Sequence, residues 1–126
     1  MNSASKPMMM ILVAGPYRSG TGGDPLLIER NLQRLQQTAL EVYKLGHMPM
    51  IGEWAALPLA HQAGSTALGD AISEQFLYPA AARLLSHCDA VLRIEGESHG
   101  ADGDVRRAGE LGLQVFYSLA ELSAAR

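Results

Sequence analysis

Residues 8–14, Met-Met-Met-Ile-Leu-Val-Ala, form an unbroken apolar run that is too short for a helix and is stopped by Gly15-Pro16. A run of that length with no polar face suits a strand covered on both sides, as in a parallel sheet. From Pro25 onward, Ile28, Leu32, Leu35, Ala39 and Val42 recur at three- and four-residue steps as far as Gly46. That spacing predicts an amphipathic helix with proline at its start and glycine at its end. One buried strand followed by one helix of crossover length is the unit from which parallel α/β sheets are built.

The rest of the chain continues the alternation. Residues 47–51 read as a second short strand, and 52–67 as a long loop with Trp54, proline constraint and an Ala63-Gly64-Ser65-Thr66 turn. Helical spacing resumes over 68–86 through Ile72, Phe76, Ala80 and Leu84, with Pro79 expected to kink or split that helix. A third strand is expected at 90–94, a third helix at 101–111, a fourth strand at 114–117 and a short helix at 118–125. The predicted architecture is a single flavodoxin-like (Rossmann-like) α/β domain over residues 8–126, with four to five mainly parallel strands, helices on both faces and a flexible tail at 1–7. In such sheets a ligand sits beyond the carboxyl ends of the strands, where the loops after strands one and three meet.

Composition narrows the functional classes. A net charge of −3 without long runs gives no basic stripe for a nucleic-acid polymer. The single cysteine, Cys88, precludes an internal disulfide and reads as a small core residue in a reducing cytosol. No apolar run reaches the length of a membrane span, which points to a cytoplasmic protein with no membrane partner. No His/Cys/Asp cluster has metal-ligand spacing, so neither metal nor cofactor is expected.

Two turns carry the chemistry. Ile94-Glu-Gly-Glu-Ser98-His-Gly100-Ala-Asp-Gly-Asp104 reads as a strand opening through Ser and Gly onto a helix start, and Ala14-Gly15-Pro16-Tyr17-Arg18-Ser19-Gly20 has the same character. Backbone N–H groups at a helix start favour an anion. A guanidinium fork, two hydroxyls and glycine-flanked amides suit a phosphate monoester. Gly15, Arg18, Ser19, Gly20, Ser98 and Gly100 are therefore the expected binding residues, converging in one small electropositive cradle. Tyr17 is placed beside a sugar, and Trp54 is a candidate for stacking on a base, with core packing as the alternative for both. Glu53, His61 and Asn31 carry no assigned role. Asp89, at the start of the third strand, reads as a capping residue.

The glycine-rich first turn, the helix end Lys44-Leu45-Gly46-His47-Met48-Pro49, the strand entry Cys88-Asp89-Ala90-Val91 and Ser98-x-Gly100-Ala101-x-x-Asp104 together resemble the nucleoside 2-deoxyribosyltransferase superfamily. The likeness runs over residues 9–117 and is nearest to the small uncharacterised and nucleotide N-glycosidase branches. It implies a flavodoxin-like fold, assembly as a homo-oligomer, and cleavage or exchange of the N-glycosidic bond of a 2-deoxynucleoside or its 5′-monophosphate. It also implies that a carboxylate at Asp104 is the nucleophile, where relatives carry glutamate, and that Ser98, Arg18 and Ser19 bind phosphate. A second departure lies at Ala80-Ala81-Ala82, where relatives offer an aspartate to assist the leaving base; Asp70, Glu74 or Tyr78 compensates only if the Pro79 break redirects that helix. The sequence thus reads as an enzyme acting on a small nucleoside or nucleotide. A non-catalytic nucleotide-binding module and an oligomeric interaction protein stand beside it as alternatives.

Overall fold

The computed structural model describes residues 7–125; the tail predicted at 1–7 lies, apart from Pro7, outside the described residues. Strands β1 (Met10–Ala14), β2 (Met48–Met50), β3 (Ala90–Arg93) and β4 (Gln114–Phe116) form one four-stranded sheet in the order β2-β1-β3-β4. Each pairing is parallel, with Met10 beside Met48, Leu12 beside Val91, and Val91 beside Val115. The helices are α1 (Pro25–Lys44), α2 (Gly52–Gln62), α3 (Ala71–Leu85), α4 (His99–Leu111) and α5 (Leu119–Ala124). The predicted α/β architecture is thus present, with four strands, all of them parallel.

Alternation along the strands explains the two apolar layers. Ile11, Val13, Ala90 and Leu92 point to one face, where Leu35, Ala39 and Val42 of α1 and Leu122 of α5 cover them. Leu12, Ala14 and Val91 point to the other, beneath Leu85 of α3 and Ala101 and Ala108 of α4. Both faces of β1 and β3 are therefore dry, which is why residues 8–14 carry no polar alternation. Cys88 belongs to the second layer, and burial pushes its thiol up to about 11.

Local chemistry places the helix starts. Asp24 accepts a hydrogen bond from the Leu26 amide with Pro25 in the first turn of α1, and Ser98 Oγ accepts from the Ala101 amide at 3.1 Å to open α4. Asp70 opens α3 by accepting from the Ser73 amide, the Ser65 hydroxyl and the Thr66 and Ala67 amides, which hold its carboxyl well below the usual carboxylate range. Asp89 ties the sheet at its opposite end, accepting from the Met10 amide at 2.8 Å while its own amide donates to the Met10 carbonyl.

The middle of the chain differs from the sequence reading. Residues 52–62 form a helix rather than part of a loop, and α3 is one helix through Pro79 rather than two. A proline removes one backbone donor and frees the carbonyl four residues earlier. Pro58 and Pro79 are both exposed, and so are Trp54 and Gln75 four residues before them, where water can satisfy the freed carbonyls. α2 packs mainly on α3, and Gly52 permits the approach because a Cβ there would lie 3.0 Å from the Ala81 Cβ.

Truncation of Leu92 to alanine, beneath α1 at the sheet centre, is expected to cost about 2–5 kcal/mol in urea unfolding. The exposed Leu26→Ala is expected to stay within about 0.5 kcal/mol of the parent.

Candidate functional site

The strand order creates the site. Leaving β1, the chain crosses to β2 on one side and later returns to β3 on the other, so the segments after β1 and β3 part above the sheet and leave a crevice. Its floor is the carboxyl end of β1. Its walls are the turn 15–19, the first residues of α2, Leu77, Tyr78 and Ala81 of α3, and the start of α4 with Ser98, Gly100, Ala101 and Asp104.

Of the residues read from sequence, Gly15, Tyr17, Arg18, Ser19, Ser98, Gly100 and Asp104 all line this one cleft. Gly20 and Trp54 do not. Gly20 is exposed in a left-handed turn with open space around it. Trp54, 39 % exposed, faces an outer groove with Tyr43, Met48 and Pro49, and its indole N–H donates to Gln36 at 2.9 Å. The helical register of α2 turns Trp54 away because Glu53, its neighbour, turns inward. His61 is exposed at the far end of α2, whereas Asn31 braces the first turn by donating to the Tyr17 carbonyl at 2.8 Å.

The turn is braced by hydrogen bonds and lies close to the sheet. Thr21 is buried, its hydroxyl donating to the Arg18 carbonyl at 2.6 Å and accepting from the Gly23 amide. Gly15 lies against Ile94, where an added Cβ would come within 2.2 Å of the isoleucine side chain. Arg93 anchors the second segment, donating to the Gly96 carbonyl and to Asp102 of α4, each at 2.9 Å.

Charge in the cleft differs from the expected electropositive cradle. Arg18 forms an ion pair with Glu74 of α3, which joins the first turn to that helix and neutralises the guanidinium. Two further carboxyls, Glu53 and Asp104, enter the same space. Burial, then the neighbouring Glu53 charge, pushes Asp104 up to about 7, with Arg93 opposing. Burial likewise raises Glu53, against the pull of its own backbone amide. Tyr17 is 5 % exposed, its hydroxyl has no hydrogen-bond partner, and burial followed by Glu53 pushes it up to about 12. The phenol therefore stays a proton donor throughout the neutral range.

Glu53 and Tyr78 also line the cleft; the sequence assigns Glu53 no role and offers Tyr78, with Asp70 and Glu74, only as a replacement for the acid missing at Ala80-Ala81-Ala82. An inward Glu53 was legible only through the helical phase of 52–62, which a loop reading hid. Tyr78 is 60 % exposed and lies over the start of α4, its ring so near Gly100 that a Cβ there would be 2.8 Å away. With Tyr78 in this position the space within the cleft is about 70 Å³. Sites for drug-sized ligands span roughly 300–1,000 Å³. With Tyr78 where it lies, the cleft is smaller than a drug-sized ligand needs.

Among the described residues, no group of three or more His, Cys, Asp or Glu side chains is placed to hold a metal ion, and no helix is long and apolar enough to cross a membrane. No protein-family model matches the chain, and no curated protein matches it.

Asp104 gives a stability signature with a defined sign. Its folded pKa is raised, so the folded state holds more protons than the unfolded state between about 4 and 7, and stability falls as pH rises through that window. Chemical unfolding from pH 4 to 8 is expected to show this decline, with Glu53 contributing in the same direction, and Asp104→Asn is expected to flatten it.

Proposed function

We propose that this protein cleaves or exchanges the N-glycosidic bond of a 2-deoxynucleoside or its 5′-monophosphate, with Asp104 as nucleophile. One observation carries the reading: a half-buried carboxyl, raised to about 7, lines the strand-switch crevice together with Tyr17, whose hydroxyl is unpartnered. The resemblance described from sequence supports the same assignment, since its glutamate position falls on Asp104.

In this mechanism an Asp104 oxygen attacks the anomeric carbon as the bond to the base nitrogen breaks, giving a glycosyl ester that water or a second base then resolves. The deoxyribose rests on the floor formed by Gly15, with the Tyr17 hydroxyl donating to a sugar oxygen. The 5′ end points to Arg18, Ser19 and the start of α4, where Ser98 and Gly100 present backbone amides. The protein works in the cytoplasm as a homo-oligomer, and the exposed Leu40, Tyr43 and Met48 around Trp54 offer an apolar surface for a second copy.

The Arg18–Glu74 pair favours the unphosphorylated nucleoside over the monophosphate. A phosphate must compete with Glu74 for the guanidinium, whereas a neutral 5′-hydroxyl leaves the pair intact.

Incubation with each common 2-deoxynucleoside and its 5′-monophosphate, followed by chromatography for free base, tests the activity. Base release is expected from the parent, and Asp104→Ala is expected to lower it at least about 10³-fold. Equal release by the two proteins across all bases overturns the assignment. Glu74→Gln is expected to raise the kcat/KM ratio of monophosphate to nucleoside by about tenfold, which corresponds to about 1.4 kcal/mol.

A further inference from the structure

Departure of a nucleobase leaves negative charge on a ring nitrogen, and a proton delivered there lowers the barrier. The attacking carboxylate cannot supply it, so the cleft needs a second acid on the other side of the breaking bond. The strand order provides opposite sides. α4 rises from the end of β3, α2 from the end of β2, and β1 ends between them. Asp104 stands on α4 and Glu53 on the first turn of α2, both lining the crevice.

We infer that Glu53 is the proton donor to the leaving base, completing with Asp104 a pair of carboxyls that flank the glycosidic bond; this rests on the N-glycosidase reading above. The other acid near the cleft is committed elsewhere, Glu74 to Arg18. The tight seat of Gly52 on Ala81 fixes the start of α2 against α3, and Glu53 follows directly into the space beside Ala81. The unpartnered Tyr17 hydroxyl, nearly fully buried, is a second polar group aimed into the same space. The groups facing the pair are Tyr17 and Arg18 from the first turn, Glu74 and Tyr78 from α3, and Arg93 from β3. Only Arg18 and Arg93 are cationic, and each is already engaged by a carboxylate.

Burial raises both carboxyls, and the Glu53 charge raises Asp104 further, so the crevice holds a carboxyl proton more readily than water would. The reactive form has Asp104 ionised and the proton on Glu53, and it is favoured in the transition state, where positive charge develops at the anomeric carbon beside Asp104. As the Asp104 oxygen bonds to that carbon and the carbon–nitrogen bond breaks, the Glu53 proton passes to the base nitrogen. The Glu53 carboxylate then takes a proton from the water that cleaves the ester, which frees Asp104 and restores the starting state.

The test compares 2′-deoxyguanosine with 7-methyl-2′-deoxyguanosine, whose base leaves neutral without taking a proton. Glu53→Gln is expected to lower kcat on 2′-deoxyguanosine by on the order of 10²–10⁴-fold. Its loss on the methylated substrate, corrected for spontaneous release, is expected to be at least tenfold smaller. The parent protein gives an independent reading: kcat on 2′-deoxyguanosine falls at alkaline pH, and that limb is absent with the methylated substrate. Equal losses on both substrates, or identical alkaline limbs in the parent, overturn the role of Glu53 while leaving Asp104 as nucleophile. If the parent releases base from neither substrate, the role of Glu53 falls, and absence of release from every common 2-deoxynucleoside and monophosphate takes the N-glycosidase reading with it.

Discussion

The parallel pairing of β1 with β3 governs the molecule. Ile11 through Ala14 align with Ala90 through Arg93, and Asp89 locks the start of that register onto the Met10 backbone. A one-residue slip would turn Ile11 and Val13 toward the wrong layer and bring both apolar faces out of step. Because the register is fixed, so is the height at which the two chains leave the sheet, and the turn 15–19 and the start of α4 meet at one level. The crevice is a consequence of sheet pairing before it is a property of any side chain.

Burial then shapes the chemistry of what enters the crevice. Carboxyls in water are ionised at neutral pH, and an isolated ionised group costs too much to carry into a dry site. Glu53 and Asp104 are each half-enclosed, burial raises both, and the Glu53 charge raises Asp104 further. The folded state accepts this penalty at a place where acid–base capacity is useful. Arg18 and Arg93, by contrast, are spent on closing loops against helices, Arg18 through Glu74 and Arg93 through Asp102.

Much of this was legible in the chain itself. The apolar run at 8–14, the periodicity from Pro25 and the serine and glycines around Ser98 report local physics, and they gave the sheet, the crossover and the convergence of the two turns. The second helix was not legible, because Pro58 and the mixed polarity of 52–62 imitate a loop, and its stability comes from packing on α3 that no local signal reveals. Misreading that segment sent Trp54 toward the ligand and left Glu53 without a role. The Arg18–Glu74 pair was equally hidden, since it joins positions 56 residues apart, and sequence offers no sign of which cation an acid will meet.

Gly15 resting on Ile94 has a mechanical consequence. With no gap between them, the turn after β1 and the segment after β3 travel as a single slab, so the base of the crevice is stiff and admission of a guest falls to the helical rim. Bulk added at either position would pry apart the plate on which any bound molecule rests, and bulk at one could be accommodated only by trimming the other. Sequences descended from this chain should therefore vary these two positions together, as a matched pair.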